Sequence, residues 1–351
     1  MKSMTTRLPK PSPGVRAGRG CLRRSSKLPR PSRQRKPAQQ PAMKQRLSQP
    51  KQPRHRRHQT GPPPGTKTKL SAKSAVARHW NGEPNAPPNA PGASGMGERL
   101  RAVLFDMDDT LIDWRGVRQD WTQIDRHYLP NVINWLQERD LASGINLDKL
   151  GRVFSNRHRA AWQAADTSLV APNMPQTLMD ALKAVGVDCS DIAEADLIEA
   201  YDWQGVAGCR VFSDVQPALE ILTDANLRLG IVTNASQPMS MRDAELKRHD
   251  LLERFPDCRI AAVEAGRLKP HPRIFTCALD KLGTAATETV FVGDNWYADI
   301  EGALGLGMRA VHRVNSRPCL QIEDRWARLH TLRDLPIILD VWYPGWRNGS
   351  G

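Results

Sequence analysis

Three carboxylates within four positions, Asp106, Asp108 and Asp109, follow directly on the apolar run 102–105 and precede Thr110. Like charges packed this closely repel. They are tolerable where a divalent cation neutralises them or where one carboxyl keeps its proton. Both conditions suit phosphoryl transfer. One carboxylate can attack phosphorus, the other can give a proton to the leaving oxygen, and a magnesium ion can bridge protein and phosphate. The same residue types also serve as ordinary turn and helix-cap residues. The choice between the two readings therefore rests on the rest of the chain.

Residues 102–105, bounded by polar positions, read as a buried strand whose carboxyl end presents Asp106 and Asp108. In open α/β sheets that end is where ligands bind. The pattern of strand followed by polar residues recurs three times. Residues 227–232 end in Thr233-Asn234, 259–263 lead to Lys269-Pro270, and 289–292 end in Gly293-Asp294 with Asp299 close behind. In a parallel sheet these ends share one edge. The Thr233 hydroxyl and the Asn234 backbone N–H suit non-bridging phosphate oxygens. The Lys269 ammonium suits phosphate and crowded carboxylates. Asp294 suits an oxygen-ligand magnesium site, and Asp299 can orient a metal-bound water or Lys269. Each alone also reads as a turn, a loop charge or a strand-to-helix junction. Their order and common placement make the combination specific.

Between the first strand and the others the texture is helical. Trp121, Ile124, Tyr128, Val132, Trp135 and Leu136 recur at spacings of three and four, predicting a helix over 121–136. Helices are also expected at 147–162, 175–185 and 191–201. Helices at 215–225, 239–249, 272–282 and 298–304 then alternate with the strands, and 308–312 reads as a last strand. This alternation implies an α/β fold with a parallel sheet between two layers of helices. A closing helix or turn at 332–339 and a frayed tail at 343–351 complete the expectation.

The chain has 351 residues and a net charge of +14, divided very unevenly. Residues 1–97 hold 22 Lys and Arg against the single acid Glu83, while the remainder holds 29 basic and 36 acidic residues. The basic excess thus belongs to the leader and says nothing of nucleic-acid binding by the body. The leader is Pro- and Arg-rich, with Trp80 its one aromatic residue, and reads as disordered. It is a basic arm for RNA, DNA or an acidic surface, a transit segment, or a stretch that is not translated, with Met96 as the natural start. Cys21, Cys189, Cys209, Cys258, Cys277 and Cys319 show no metal or redox spacing and read as reduced thiols. With no membrane-length apolar run and no secretory core, a cytoplasmic protein is the expectation.

Asp106-Met-Asp108-Asp109-Thr110, Thr233-Asn234, Lys269-Pro270 and Gly293-Asp294 with Asp299 together resemble the haloacid dehalogenase superfamily of hydrolases. The helical insertion resembles its phosphoglycolate phosphatase-like members, and the resemblance covers about residues 98–340. It implies a Rossmann-like core at 98–113 and 209–342, a helical cap at 114–208, magnesium dependence and an aspartyl-phosphate intermediate. It also implies Asp106 as nucleophile, Asp108 as acid and base, and Thr233, Asn234 and Lys269 as phosphoryl ligands. Magnesium would be held by Asp106, the Asp108 backbone carbonyl and Asp294. True dehalogenases resemble this sequence but lack an acid two residues after the nucleophile. Halide leaves without a proton and an alkoxide needs one, so Asp108 argues for phosphate ester hydrolysis.

Asp109 stands where the superfamily commonly has glycine, and the sequence attaches no consequence to it. Substrate contacts are sought among Trp114, Arg115, Arg118, Arg157, His158, Arg159 and Trp162, but for Arg157-His158-Arg159 the sequence favours a solvated basic helix face with Trp162 packed beneath. The expected function is a magnesium-dependent phosphatase of a small phosphorylated metabolite. The alternatives are a 2-haloacid dehalogenase-type hydrolase and a nucleic-acid-associated protein acting through its basic leader.

Overall fold

The computed structural model describes residues 99–348. The disordered leader expected at 1–97, and its three explanations, lie outside the described residues. The first strand, β1 (Ala102–Phe105), is buried at all four positions. Burial on both faces makes it a central strand of a parallel sheet. After it comes a two-residue strand, β2 (Ile112–Asp113), and then four helices: α1 (Trp121–Glu138), α2 (Leu147–Ser168), α3 (Met174–Ala184) and α4 (Glu194–Tyr201). The chain returns through β3 (Arg210–Val211), which pairs antiparallel with β2. Entry and exit of the helical insertion are thus stitched together. Beside this ribbon the backbones of Gly116 and Gly208 approach so closely that a Cβ on Gly116 would meet the Gly208 carbonyl at 2.3 Å.

The insertion follows the predicted periodicity. Asp120 accepts from the Gln123 backbone N–H and Gln123 Oε1 accepts from that of Asp120, closing the first turn of α1 from both sides. Its inward face, Ile124, Tyr128, Val132 and Leu136, shares a core with Phe154, Leu178, Leu182 and Tyr201 from the other three helices. The second helix outruns the predicted range by six residues, to Ser168.

The remaining elements are α5 (Val215–Asp224), β4 (Arg228–Thr233), α6 (Met239–Arg248), β5 (Cys258–Ala261), α7 (Ala262–Ala265), α8 (Pro272–Leu282), β6 (Thr289–Gly293), a π-helical turn (Trp296–Glu301) continuing into α9 (Gly302–Gly305), β7 (Arg309–Arg313), β8 (Leu320–Ile322), β9 (Trp326–Leu329) and α10 (Leu335–Trp342). The seven-stranded sheet has the order β5-β4-β1-β6-β7-β9-β8, parallel except for the β8–β9 pair. Alternate residues of β1 serve opposite faces, as a two-residue period demands. Val103 and Phe105 join α5, α6 and α10, whereas Ala102 and Leu104 join α7, α8 and α9. This is a three-layer, Rossmann-like α/β fold with the helical insertion after its first strand.

Two expectations need correction. The strand at 309–313 is not the last, because β9 and β8 extend the sheet past it. The tail does not fray through 348: Tyr343 and Trp346 are buried at 2% and 6% exposure and join the core beneath α10. Aromatic bulk buried there outweighs the tendency of a terminus to fray. No helix among the described residues is long and apolar enough to cross a membrane.

Candidate active site

The register of β1 assembles the site. Phe105 lies beside Ile231 of β4 on one side and Val292 of β6 on the other. The next residue, Asp106, therefore emerges between the Val232-Thr233 and Gly293-Asp294 corners. Oxygens of Asp106, Asp294 and Asp299 all lie within 4.8 Å of one another. The Lys269 ammonium is buried against them, donating to Asp106 Oδ1 at 2.7 Å and to the Val232 carbonyl at 2.7 Å, and pairing with Asp299 Oδ1 at 2.8 Å. Thr110 Oγ1 donates to the other oxygen, Asp106 Oδ2, at 3.2 Å. Asn234 turns its side chain away from this cluster. Its Oδ1 accepts from the Lys269 backbone N–H at 2.7 Å, and its Nδ2 donates to the Lys269 carbonyl at 3.2 Å. The Asn234 side chain thus clips the Lys269 loop in place. Thr233 is buried at the end of β4.

Burial pushes the Asp106 carboxyl up to about 8; Lys269 opposes the shift, and Asp299, Asp294 and Asp108 add to it. Burial would lower the Lys269 ammonium, yet Asp106 and Asp299 hold it above its ordinary value. Three carboxylates thus gather around one buried ammonium. An all-oxygen donor set of three carboxylates fits a hard divalent cation such as magnesium. Gly293 makes room for the arrangement: a Cβ there would meet Asp299 Oδ2 at 2.3 Å.

Asp108 stands apart from the trio. Its Oδ1 accepts from Trp114 Nε1 at 2.9 Å and from Arg242 Nη2 at 2.6 Å. Its side chain remains 33% exposed. Asp109 adopts φ 59°, in the left-handed region that favours Gly, Asn and Asp. It also accepts from the Trp114 backbone N–H at 2.9 Å. The sequence attached no consequence to this residue; in the structure it turns the chain and anchors Trp114.

The expected substrate contacts divide. Trp114 binds Asp108. Arg115 makes a two-pronged ion pair with Asp113, at 2.9 and 2.8 Å. With Asp109, Asp294, His312, Arg313, Val314, Asn315 and Ser316 it lines a cavity of about 260 Å³ beside the carboxylate cluster. Arg118, Arg157 and Arg159 are exposed. Arg159 donates to Asn156 one turn back on α2, at 3.0 Å, in keeping with a solvated helix face. His158, between the two arginines, points inward instead. It is buried, shares a hydrogen bond of 2.9 Å with Ser236 Oγ, and accepts from Trp162 Nε1 at 3.3 Å. Burial lowers its imidazole to about 4, so it is neutral.

Sequence reasoning missed Arg242 and Glu245, both buried on α6 at 1% and 0% exposure. Their spacing of three was the available signal, but such pairs are ordinary on exposed helices.

This chain belongs to the haloacid dehalogenase-like hydrolases: that family's model matches residues 100–307. It is 27% identical over 212 residues to a glyceraldehyde 3-phosphate phosphatase of Methanopyrus kandleri, covering 60% of this chain and 83% of that protein. Among solved structures, a phosphatase of the same family from Thermococcus onnurineus matches with 26% identity and a TM-score of 0.45, covering 68% of this chain and 98% of that one. A 2-haloacid dehalogenase from Pseudomonas syringae matches with 28% identity and a TM-score of 0.46, covering 69% and 99%.

Proposed function

We propose that this hydrolase is a magnesium-dependent phosphatase that cleaves a small phosphorylated metabolite through phosphorylated Asp106. The observation that carries the reading is the pairing of the Asp106–Lys269–Asp294–Asp299 cluster with a second carboxylate, Asp108, two residues from the first. Asp106 is the nucleophile, oriented by Lys269 and Thr110 on its two oxygens. Thr233, the Asn234 backbone N–H and Lys269 hold the phosphoryl oxygens. Asp108 gives its proton to the leaving oxygen and then takes one from the attacking water. Asp106, Asp294 and the Asp108 backbone carbonyl would hold magnesium, which supplies positive charge against the phosphoryl oxygens when bound. Asp299 holds Lys269.

The helical insertion at 114–208 serves as a cap that covers the site and excludes water. The relative named for glyceraldehyde 3-phosphate supports a small phosphorylated substrate. A reducing cytoplasmic setting suits Cys189, Cys209, Cys258, Cys277 and Cys319, all of which are free thiols.

The test is Asp106→Asn assayed on para-nitrophenyl phosphate with magnesium. Turnover is expected to fall by at least about a thousandfold. Unchanged turnover rejects the assignment. Metal-independent halide release from 2-haloacids would favour the dehalogenase reading, against which Asp108 stands.

A further inference from the structure

Arg242 is among the largest fully buried side chains of the molecule, and its charge has no role in the reaction as proposed so far. It reaches out of α6 between two carboxylates. Nη2 donates to Asp108 Oδ1 at 2.6 Å, and Nη1 pairs with Glu245 Oε2 at 3.1 Å. Asp108 and Glu245 hold the guanidinium charged against the pull of its burial. Trp203 Nε1 donates to the same oxygen, Glu245 Oε2, at 3.4 Å.

A buried ion cluster is a poor device for stability, because desolvation offsets most of the Coulomb gain. This one leaves Arg242 Nε and Glu245 Oε1 without a protein partner, which adds to its cost. What it does secure is the orientation of one carboxylate. Trp114 Nε1 and Arg242 Nη2 both donate to Oδ1 of Asp108 and come from opposite ends of the sequence around the helical insertion. Trp114 is itself packed on Trp121, the first residue of α1, with ring centroids 5.7 Å apart. Among the described residues no hydrogen bond engages Oδ2.

We infer that Arg242, braced by Glu245 and assisted by Trp114, is the positioning residue for Asp108, fixing Oδ1 so that Oδ2 is the oxygen that exchanges a proton with the leaving group. The inference rests on the reading of Asp108 as the acid. Two donors on one oxygen leave the exchangeable proton to the other. Rotation about the Cβ–Cγ bond, which would turn that proton away from the substrate, breaks two hydrogen bonds at once. In the step concerned a bond forms between an Asp106 carboxylate oxygen and phosphorus while the P–O bond to the leaving group breaks; the electron pair of the broken bond stays on the leaving oxygen, and the proton passes from Oδ2 to that oxygen. Arg242 neither gives nor takes a proton.

The experiment uses the full chain with magnesium and a series of substituted phenyl phosphates, from para-nitrophenyl to unsubstituted phenyl. The poorer the leaving group, the more it needs the proton. Arg242→Gln is expected to lower kcat/KM for phenyl phosphate about tenfold more than for para-nitrophenyl phosphate, a fraction of the full general-acid effect. Arg242→Lys should recover part of that difference. Trp114→Phe, which spares the buried ion cluster, should shift the series in the same direction by about threefold on the same scale. A merely structural role lowers every substrate by one common factor.

Uniform loss in both Arg242→Gln and Trp114→Phe, while Asp108→Asn still penalises the poor leaving groups, overturns the inference and leaves the phosphatase reading intact. If Asp108→Asn also lowers all substrates equally, the assignment of the acid falls and the inference falls with it. Should Arg242→Gln fail to fold, the Trp114→Phe series decides alone by the same criterion.

Discussion

Lys269 Nζ donates to Asp106 Oδ1 at 2.7 Å across 163 positions of sequence. The same ammonium pairs with Asp299 at 2.8 Å, so one cation ties the end of β1 to the turn that follows β6. Both partners are buried, and neither carboxylate can turn to bulk water if the ammonium is lost.

Replacing Lys269 by Gln should therefore cost both stability and activity. Breaking a buried pair by removing one partner costs about 3 kcal/mol or more, because the charge left behind stays desolvated. Turnover of a phosphate ester should drop by at least about a hundredfold, as expected for loss of a charged group at the phosphoryl site. Denaturant unfolding and steady-state kinetics check the two halves separately.

The carboxylate trio should make folding sensitive to magnesium. A cation that binds only the folded chain raises its stability by about 2.7 kcal/mol at a hundred times Kd. Chelator should lower the Tm and magnesium should restore it. In Asp294→Asn the magnesium response should shrink markedly. A Tm indifferent to magnesium in the wild type would count against the site.

Gly293 is the position where a single methyl group should do most damage. Its Cβ would meet Asp299 Oδ2 at 2.3 Å, and Asp299 is anchored by the Asn295 backbone N–H at 3.0 Å. Gly293→Ala should displace Asp299 and Lys269 together and cost about 1–3 kcal/mol by overpacking. Thermal unfolding would show this, and weakened magnesium stabilisation should accompany it.

His158 should give the fold an acid-side dependence. Its folded value is lowered by burial to about 4, against an ordinary 6.5. Between those limits the unfolded chain takes up a proton that the folded chain refuses, so stability rises with pH. It is lost as pH falls from about 6.5 towards 4, by up to about 3 kcal/mol. Asp125 works in the opposite direction, since burial pushes its carboxyl up to about 7. The difference between wild type and His158→Gln isolates the histidine. That difference should move in favour of the variant below pH 6, followed by urea unfolding at a series of pH values.

The edge of the sheet was legible because its chemistry is local: β1, β4 and β6 each end at their own polar residue, Lys269 follows β5 after the short α7, and a parallel sheet leaves few ways to arrange them. The helices of the insertion were legible for the same reason, through apolar periodicity in α1 and α2. Arg242 and Glu245 were not, since α6 is polar along much of its length and reads as a solvent-facing helix. Only the tertiary fold shows that its charges turn inward to Asp108. Strands β8 and β9 escaped notice because they are short; β8 lies at the sheet edge with two of its three residues exposed. Arg157 and Arg159 drew attention by charge, while the residue between them, His158, makes the inward contact. A triplet on a helix points three ways, and sequence alone does not say which way faces the core.

The account depends most on covalent chemistry at Asp106, and trapping measures it directly. Enzyme turning over para-nitrophenyl phosphate with magnesium is quenched rapidly in acid, and its peptides are weighed. The account predicts a phosphate on the peptide carrying Asp106, lost in Asp106→Asn. Phosphate on another residue, or none at any quench time while turnover proceeds, would contradict it.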